Sequence, residues 1–99
     1  MRHYIIAKFR PDVDWKALVE PIQTMFAETL GIEGITGAQV YSSNSDLENR
    51  YHLMIEMEMS TEALTAYDRS ELHLRWKETY GPLIESKVIF DREDRDYGK

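Results

Sequence analysis

Apolar and polar residues alternate along the opening of the chain. His3, Ile5, Ala7 and Phe9 fall on one side of an extended backbone, and Tyr4, Ile6, Lys8 and Arg10 on the other. Strand side chains point to alternate faces, so period two over residues 3–10 predicts a strand with two unlike faces. Pro11 has no backbone donor and ends it. The period then changes. Trp15, Leu18, Val19, Ile22, Met25, Phe26 and Leu30 recur at helical spacing and make one apolar stripe, with Asp14 as the expected N-cap. Pro21 within that stripe predicts a kink, or a restart that leaves the proline in a first turn. Gly31, Gly34 and Gly37 mark the exit.

Thr36 to Ser43 reads as a second strand, and the polar run from Asn44 to Arg50 as an exposed loop. From Tyr51 to Met59 the alternation returns: Tyr51, Leu53, Ile55, Met57 and Met59 against His52, Met54, Glu56 and Glu58. Ser60 is placed to cap a helix from Thr61 to about Asp68, with Ala63, Leu64 and Tyr67 on one face. Ser70 is placed to cap another, running through Leu72, His73, Trp76 and Tyr80 to Gly81-Pro82. Val88, Ile89 and Phe90 form a last short strand. Asp91 to Lys99 reads as a charged, solvated run that frays from the end of the fold, and the domain is set at 1–92 with a charged tail over 93–99.

The order β-α-β-β-α(α)-β is the ferredoxin-like arrangement of an α+β fold. Its four-stranded antiparallel sheet carries helices on one face only. The bare face would hold Tyr4, Ile6, His52 and Met54. An apolar patch of that kind is a liability on a monomer, so a second copy is expected to cover it, making a homodimer in the form of a dimeric α+β barrel.

Composition narrows the function classes. Ninety-nine residues make one domain. With 42% hydrophobic and 30% charged residues, wholesale disorder is excluded. A formal charge of −6 argues against nucleic acid and anionic membranes as partners, since both attract clustered bases. No apolar run nears the roughly 20 residues that cross a bilayer, and the start lacks a secretory apolar region, so a cytoplasmic protein is expected. Cysteine is absent, which removes disulfides and thiolate chemistry.

At this point the residues resemble a known family, the stress-responsive A/B-barrel (Dabb) domains. Arg2-His3-Tyr4-Ile5-Ile6-Ala7-Lys8-Phe9-Arg10 looks like the family's opening strand, and Tyr51 to Met59 like its third. Glu62-Ala63-Leu64-Thr65-Ala66-Tyr67 followed by Ser70-Glu71-Leu72-His73 is similar to its central motif, a tyrosine with a histidine six positions on. Lys87-Val88-Ile89-Phe90-Asp91 resembles its closing strand. The family's frequent His-Pro-x-His reads Ser70-Glu71-Leu72-His73 here, and Leu53 stands where a cyclase of the family has a pocket histidine. The resemblance implies a dimeric barrel. In that plant cyclase, which folds a linear polyketide without metal or organic cofactor, the matching residues are Tyr67 and His73 as catalytic groups and His3 as a further pocket histidine.

His3, Tyr67 and His73 are therefore the candidate catalytic residues, meeting at one end of a cavity between sheet and helices. Met25, Leu53, Ile55, Met57, Trp76 and Ile84 are the expected substrate-binding walls. For an aldol cyclisation, His73 would take a proton beside a carbonyl and Tyr67 would donate to the developing enolate oxygen. Histidine suits the first role because its ordinary pKa lies near neutrality. The ligand class is a small apolar or aromatic carbonyl compound, and no cofactor or metal is expected. Two rival readings stay open. In one the protein is a non-catalytic dimeric module, with His73 merely bonded to Tyr67 or a backbone carbonyl. In the other it is a cofactor-free monooxygenase, by fold analogy alone.

Three further features read as structural. His52, Glu56 and Glu58 share a strand face, but without a compact ligand set they are a polar stripe, balanced by Lys8 or Arg10 across the dimer. Met54, Met57 and Met59 are packing, and no glycine-rich phosphate loop or nucleophile elbow occurs.

Overall fold

The computed structural model describes residues 1–93. Four strands, β1 (Arg2–Phe9), β2 (Ile35–Ser42), β3 (Leu53–Met59) and β4 (Ile84–Arg92), form one antiparallel sheet in the order β2-β3-β1-β4. Three helices, α1 (Val19–Ala27), α2 (Thr61–Asp68) and α3 (Glu71–Tyr80), lie on one side. No helix among the described residues is long and apolar enough to cross a membrane.

The alternation of β1 and β3 is the origin of the layering. Along both strands buried and half-buried residues alternate without a break. His3, Ile5, Ala7 and Phe9 go under the helices with Leu53, Ile55, Met57 and Met59. Ile22 and Phe26 of α1, Tyr67 of α2, and Trp76 and Tyr80 of α3 complete this core. Trp76 sits at its centre, edge-on to Phe26 at 5.1 Å and tilted on Tyr80 at 5.5 Å.

Capping follows the serines. The Ser60 hydroxyl accepts from Ala63 N at 3.3 Å, and that of Ser70 from His73 N at 3.1 Å. Asp14 corrects the expectation: its side chain makes no capping bond, and it precedes only a 3-10 turn over Trp15–Leu18. The first helix is thus broken. Pro21 falls in the first turn of a fresh α1, where its missing N–H costs nothing, and a second 3-10 turn closes the segment at Glu28–Gly31. Gly34 has φ +93°, and a Cβ there would lie 2.6 Å from Ser60 Oγ and 2.9 Å from Ala63 Cβ. Glycine lets the loop before β2 pass close to the start of α2.

The last strand is longer than its apolar core suggests. It reaches Arg92 because β1 pairs with it from Arg2 opposite Arg92 to Phe9 opposite Ile84, with an irregularity at Lys8/Phe9. Backbone bonding carries the ladder through charged flanks, so Asp91 and Arg92 are strand and not tail. The remainder of the tail, 94–99, lies outside the described residues.

The uncovered sheet face carries a continuous apolar row. The register places Tyr41, Met54, Ile6 and Val88 side by side across all four strands, with Tyr4 and Phe90 in the next row. Tyr41, Val88 and Phe90 are 48%, 44% and 56% exposed, unusual for large apolar groups on a single patch. His52 leaves this face. Its Nδ1 accepts from Phe9 N at 3.0 Å, and its ring stacks on Trp15 at 4.8 Å. The acids beside the row are balanced within the chain itself. Arg2 lies 2.8 Å from Glu58 and 3.9 Å from Glu56, so the expected role of Lys8 or Arg10 goes to Arg2 on the neighbouring strand. Lys8 turns instead to the Glu48 carbonyl and to Glu85 at 3.7 Å.

Candidate functional site

Ser70 builds the junction that matters most. It sits between α2 and α3, and its one hydroxyl donates to the Tyr67 carbonyl at 2.6 Å while accepting from His73 N at 3.1 Å. Tyr67 and His73 are therefore held at a fixed offset by the cap itself. Their rings lie 4.8 Å apart, and the ring of His3, rising from β1, is 5.6 Å from that of Tyr67. The three candidate residues come together, with Tyr67 between the two imidazoles.

Hydrogen bonds set the two imidazoles. His73 Nδ1 donates to the Asp68 carbonyl at 3.0 Å, and His3 Nδ1 to the Asp91 carboxylate at 2.5 Å. A carbonyl and a carboxylate only accept, so in each ring Nδ1 carries a proton and Nε2 is the nitrogen left to exchange one. Tyr67 differs: its ring is 1% exposed, and its hydroxyl has no hydrogen-bond partner among the described residues. Burial first, then the nearby charge of Asp68, push its pKa well above the ordinary tyrosine value. It stays a protonated O–H donor throughout the physiological range. An unsatisfied buried hydroxyl costs about 1–3 kcal/mol, which an acceptor placed against it would recover.

His3 and His73 line a cavity of about 280 Å³ between β1, β4, α2 and α3; Tyr67 does not line it, its ring packing behind both imidazoles. Of the six expected wall residues, only Trp76 lines it. Leu53, Ile55 and Met57 are packed shut in the core, and Met25 and Ile84 are half-buried against it. The physical reason is strand order. The cavity opens on the β1–β4 side of the sheet, whereas β3 lies on the other side of β1. Its actual apolar walls are Ile5, Leu64 and Ile89, and its polar lining includes Lys77, Lys87 and Asp91. The register shows how these were reachable: Asp91, Ile89 and Lys87 sit opposite His3, Ile5 and Ala7 on the helix-facing side. Lys77 is one helical turn beyond His73.

Among the described residues no group of three or more His, Asp or Glu is placed to hold a metal. Glu56 accepts from the Tyr4 hydroxyl at 2.8 Å and Glu58 from that of Thr36 at 2.7 Å, while His52 has turned away.

The model of the stress responsive A/B barrel domain, Dabb, fits residues 1–94. The chain belongs to this family. A dimeric ferredoxin-like protein of unknown function from Bacteroides fragilis matches this A/B-barrel chain with a TM-score of 0.78 at 15% identity, covering 93% of each chain. A protein from Arabidopsis thaliana gives 0.79 at 18% identity, covering 99% of this chain and 98% of its own. A Dabb family protein with a ferredoxin-like fold from Mesorhizobium loti gives 0.65 at 18%, covering 96% of each. At such identities these likenesses show the A/B-barrel fold alone. A comparison with curated proteins finds no match.

His52 gives this A/B barrel a pH dependence of its own. Burial, reinforced by Lys8, lowers its pKa against the weaker opposing pull of Asp46 and Glu85. The neutral ring is also the one that can accept from Phe9 N. The unfolded chain thus takes up a proton on His52 before the folded one does. The stability it contributes is full above the ordinary histidine value of about 6.5 and is lost as pH falls below it. A thermal melt at pH 7.5 and again at pH 5.5 should show a lower Tm at the acid end. His52→Asn, whose amide oxygen accepts in the place of Nδ1 without titrating, should flatten that slope; an unchanged slope would remove His52 from the account.

Proposed function

We propose that this A/B barrel works as a homodimer joined through its open sheet face, and that each subunit binds a small apolar or aromatic carbonyl compound in the cavity beside His3 and His73. The observation that carries this reading is the Tyr67 hydroxyl: buried, protonated, without a hydrogen-bond partner among the described residues, and packed against both imidazoles of a cavity wall. It is a donor in want of an oxygen. The apolar walls suit the body of the ligand, and a few convergent polar groups orient its carbonyl, the usual make-up of a small-molecule site. At about 280 Å³ the cavity is at the small end of such sites and takes about one ring.

The same groups support proton transfer. Nε2 of His73 removes a proton from the carbon next to the ligand carbonyl, and the charge that develops on the carbonyl oxygen is met by the Tyr67 O–H. His3, fixed by Asp91, is the second exchangeable nitrogen at the site. Chemistry of this kind enolises the ligand and allows an intramolecular aldol closure, with no step that needs another cofactor. The apolar row of Tyr41, Met54, Ile6 and Val88 supports the dimer, since a second copy would remove it from water.

Thermal stabilisation tests the cavity reading. Ring-hydroxylated acetophenones should raise the Tm of the wild type in proportion to the logarithm of their concentration, because they bind the folded state alone. The shift should be lost in the Tyr67→Phe, His73→Ala double variant. Absence of any shift across such compounds in the wild type would make Tyr67 and His73 structural and end the enzyme reading.

A further inference from the structure

Lys77 and Lys87 enter the same cavity from opposite layers. Lys77 stands on α3, one turn beyond His73, and Lys87 on β4, opposite Ala7 of β1. Both are exposed. Neither has a carboxylate within ion-pair distance among the described residues, in a chain where 18 acids face 12 bases. Other bases find such partners: Arg2, Lys8, Lys16 and Arg75 each pair with an acid. Of the two described acids that line the cavity, Asp91 is occupied by His3 Nδ1, and Asp68 pairs with neither lysine. Two like charges at one rim repel each other, and an anion between them relieves that repulsion.

We infer that the ligand of this cavity carries a carboxylate, held by Lys77 and Lys87 at the rim while its carbonyl end lies against His73 and Tyr67. The inference rests on the cavity reading proposed above and adds the substrate class: small aromatic or apolar keto acids. A carboxylate fits better than a phosphate. A carboxylate presents one oxygen to each ammonium, and among the described residues the lining has neither an arginine fork nor a glycine-rich loop of backbone donors for a phosphate group. The lysines hold the charged end in partly solvated surroundings, so they contribute selectivity more than tight binding.

Trp76 on the cavity wall supplies the signal for the test, a fluorescence titration at low salt. 4-Acetylbenzoate and 4-acetylbenzamide share shape and carbonyl and differ in charge, and 4-acetylphenyl phosphate supplies the alternative anion. The wild type is expected to bind the benzoate about tenfold more tightly than the benzamide, two exposed charge contacts acting together. That preference should shrink as salt is raised. It should vanish in Lys77→Gln, Lys87→Gln and survive in Lys77→Arg, Lys87→Arg. Equal binding of benzoate and benzamide overturns the anion inference and leaves the cavity reading standing. Tighter binding of the phosphate overturns the choice of carboxylate. If none of the three binds, this inference falls; the cavity reading falls with it only if ring-hydroxylated acetophenones also leave the Tm of the wild type unmoved.

Discussion

Replacing Trp76 by alanine is expected to cost about 3–5 kcal/mol of folding free energy, the range for deleting a large buried aromatic. Its side chain is 2% exposed and spans the gap between Phe26, Tyr80 and the cavity. Truncation removes its aromatic contacts and leaves a hollow that the β1–α3 packing can only partly close. Against a total stability of roughly 5–15 kcal/mol, the loss is a large fraction of what holds the domain. In a chain of this size that corresponds to a fall in Tm of ~12 °C or more, read from circular dichroism. A loss below about 1 kcal/mol would mean that Trp76 is loosely packed and that the core lies elsewhere.

Ile6→Glu is expected to separate the subunits of the proposed dimer. Ile6 lies near the middle of the open face, between Met54 and Val88, and is not part of the buried core. A glutamate is acceptable there on a solvated monomer. Across a two-fold interface it appears twice, and each copy would bury a charge without a partner. The dimer dissociation constant should rise at least about a hundredfold, roughly 3 kcal/mol, with the secondary structure intact. Light scattering at micromolar concentration reads it directly: dimer mass for the wild type, monomer mass for the variant. A wild-type monomer under those conditions would refute the dimer, and an unaffected variant would move the interface elsewhere.

These predictions draw unequally on what the sequence makes legible. β1 and β3 were readable because burial on a single face writes period two into the side chains, and both strands keep it for their full length. The paired caps at Ser60 and Ser70 were readable for a similar reason, since a capping hydroxyl is a local requirement. β4 was only partly so. Its apolar residues are three, and its ladder to β1 runs on through Asp91 and Arg92, where only the partner strand holds the backbone. That shortening hid Asp91, which fixes His3. The constellation of His3, Tyr67 and His73 came from the resemblance. The walls did not, because the faces of strands can be read from periodicity while their order in the sheet cannot. Leu53, Ile55 and Met57 have the correct face but the wrong side of β1. Lys77 and Lys87 gave no signal in isolation; only the closure of β4 against α3 brings them to one cavity.

The most direct measurement of the central claim uses the fact that the chain has three histidines. Two of them, His3 and His73, line the cavity, and the third, His52, stacks on Trp15 at the other end of the β1 strand. In protein labelled with nitrogen-15 at histidine, a titration with a ring-hydroxylated acetophenone should be followed at the imidazole nitrogens. Saturable shifts are expected at His3 and His73, largest at Nε2 of His73, with His52 still. Shifts confined to His52, or none at any ring at millimolar ligand, would contradict the claim.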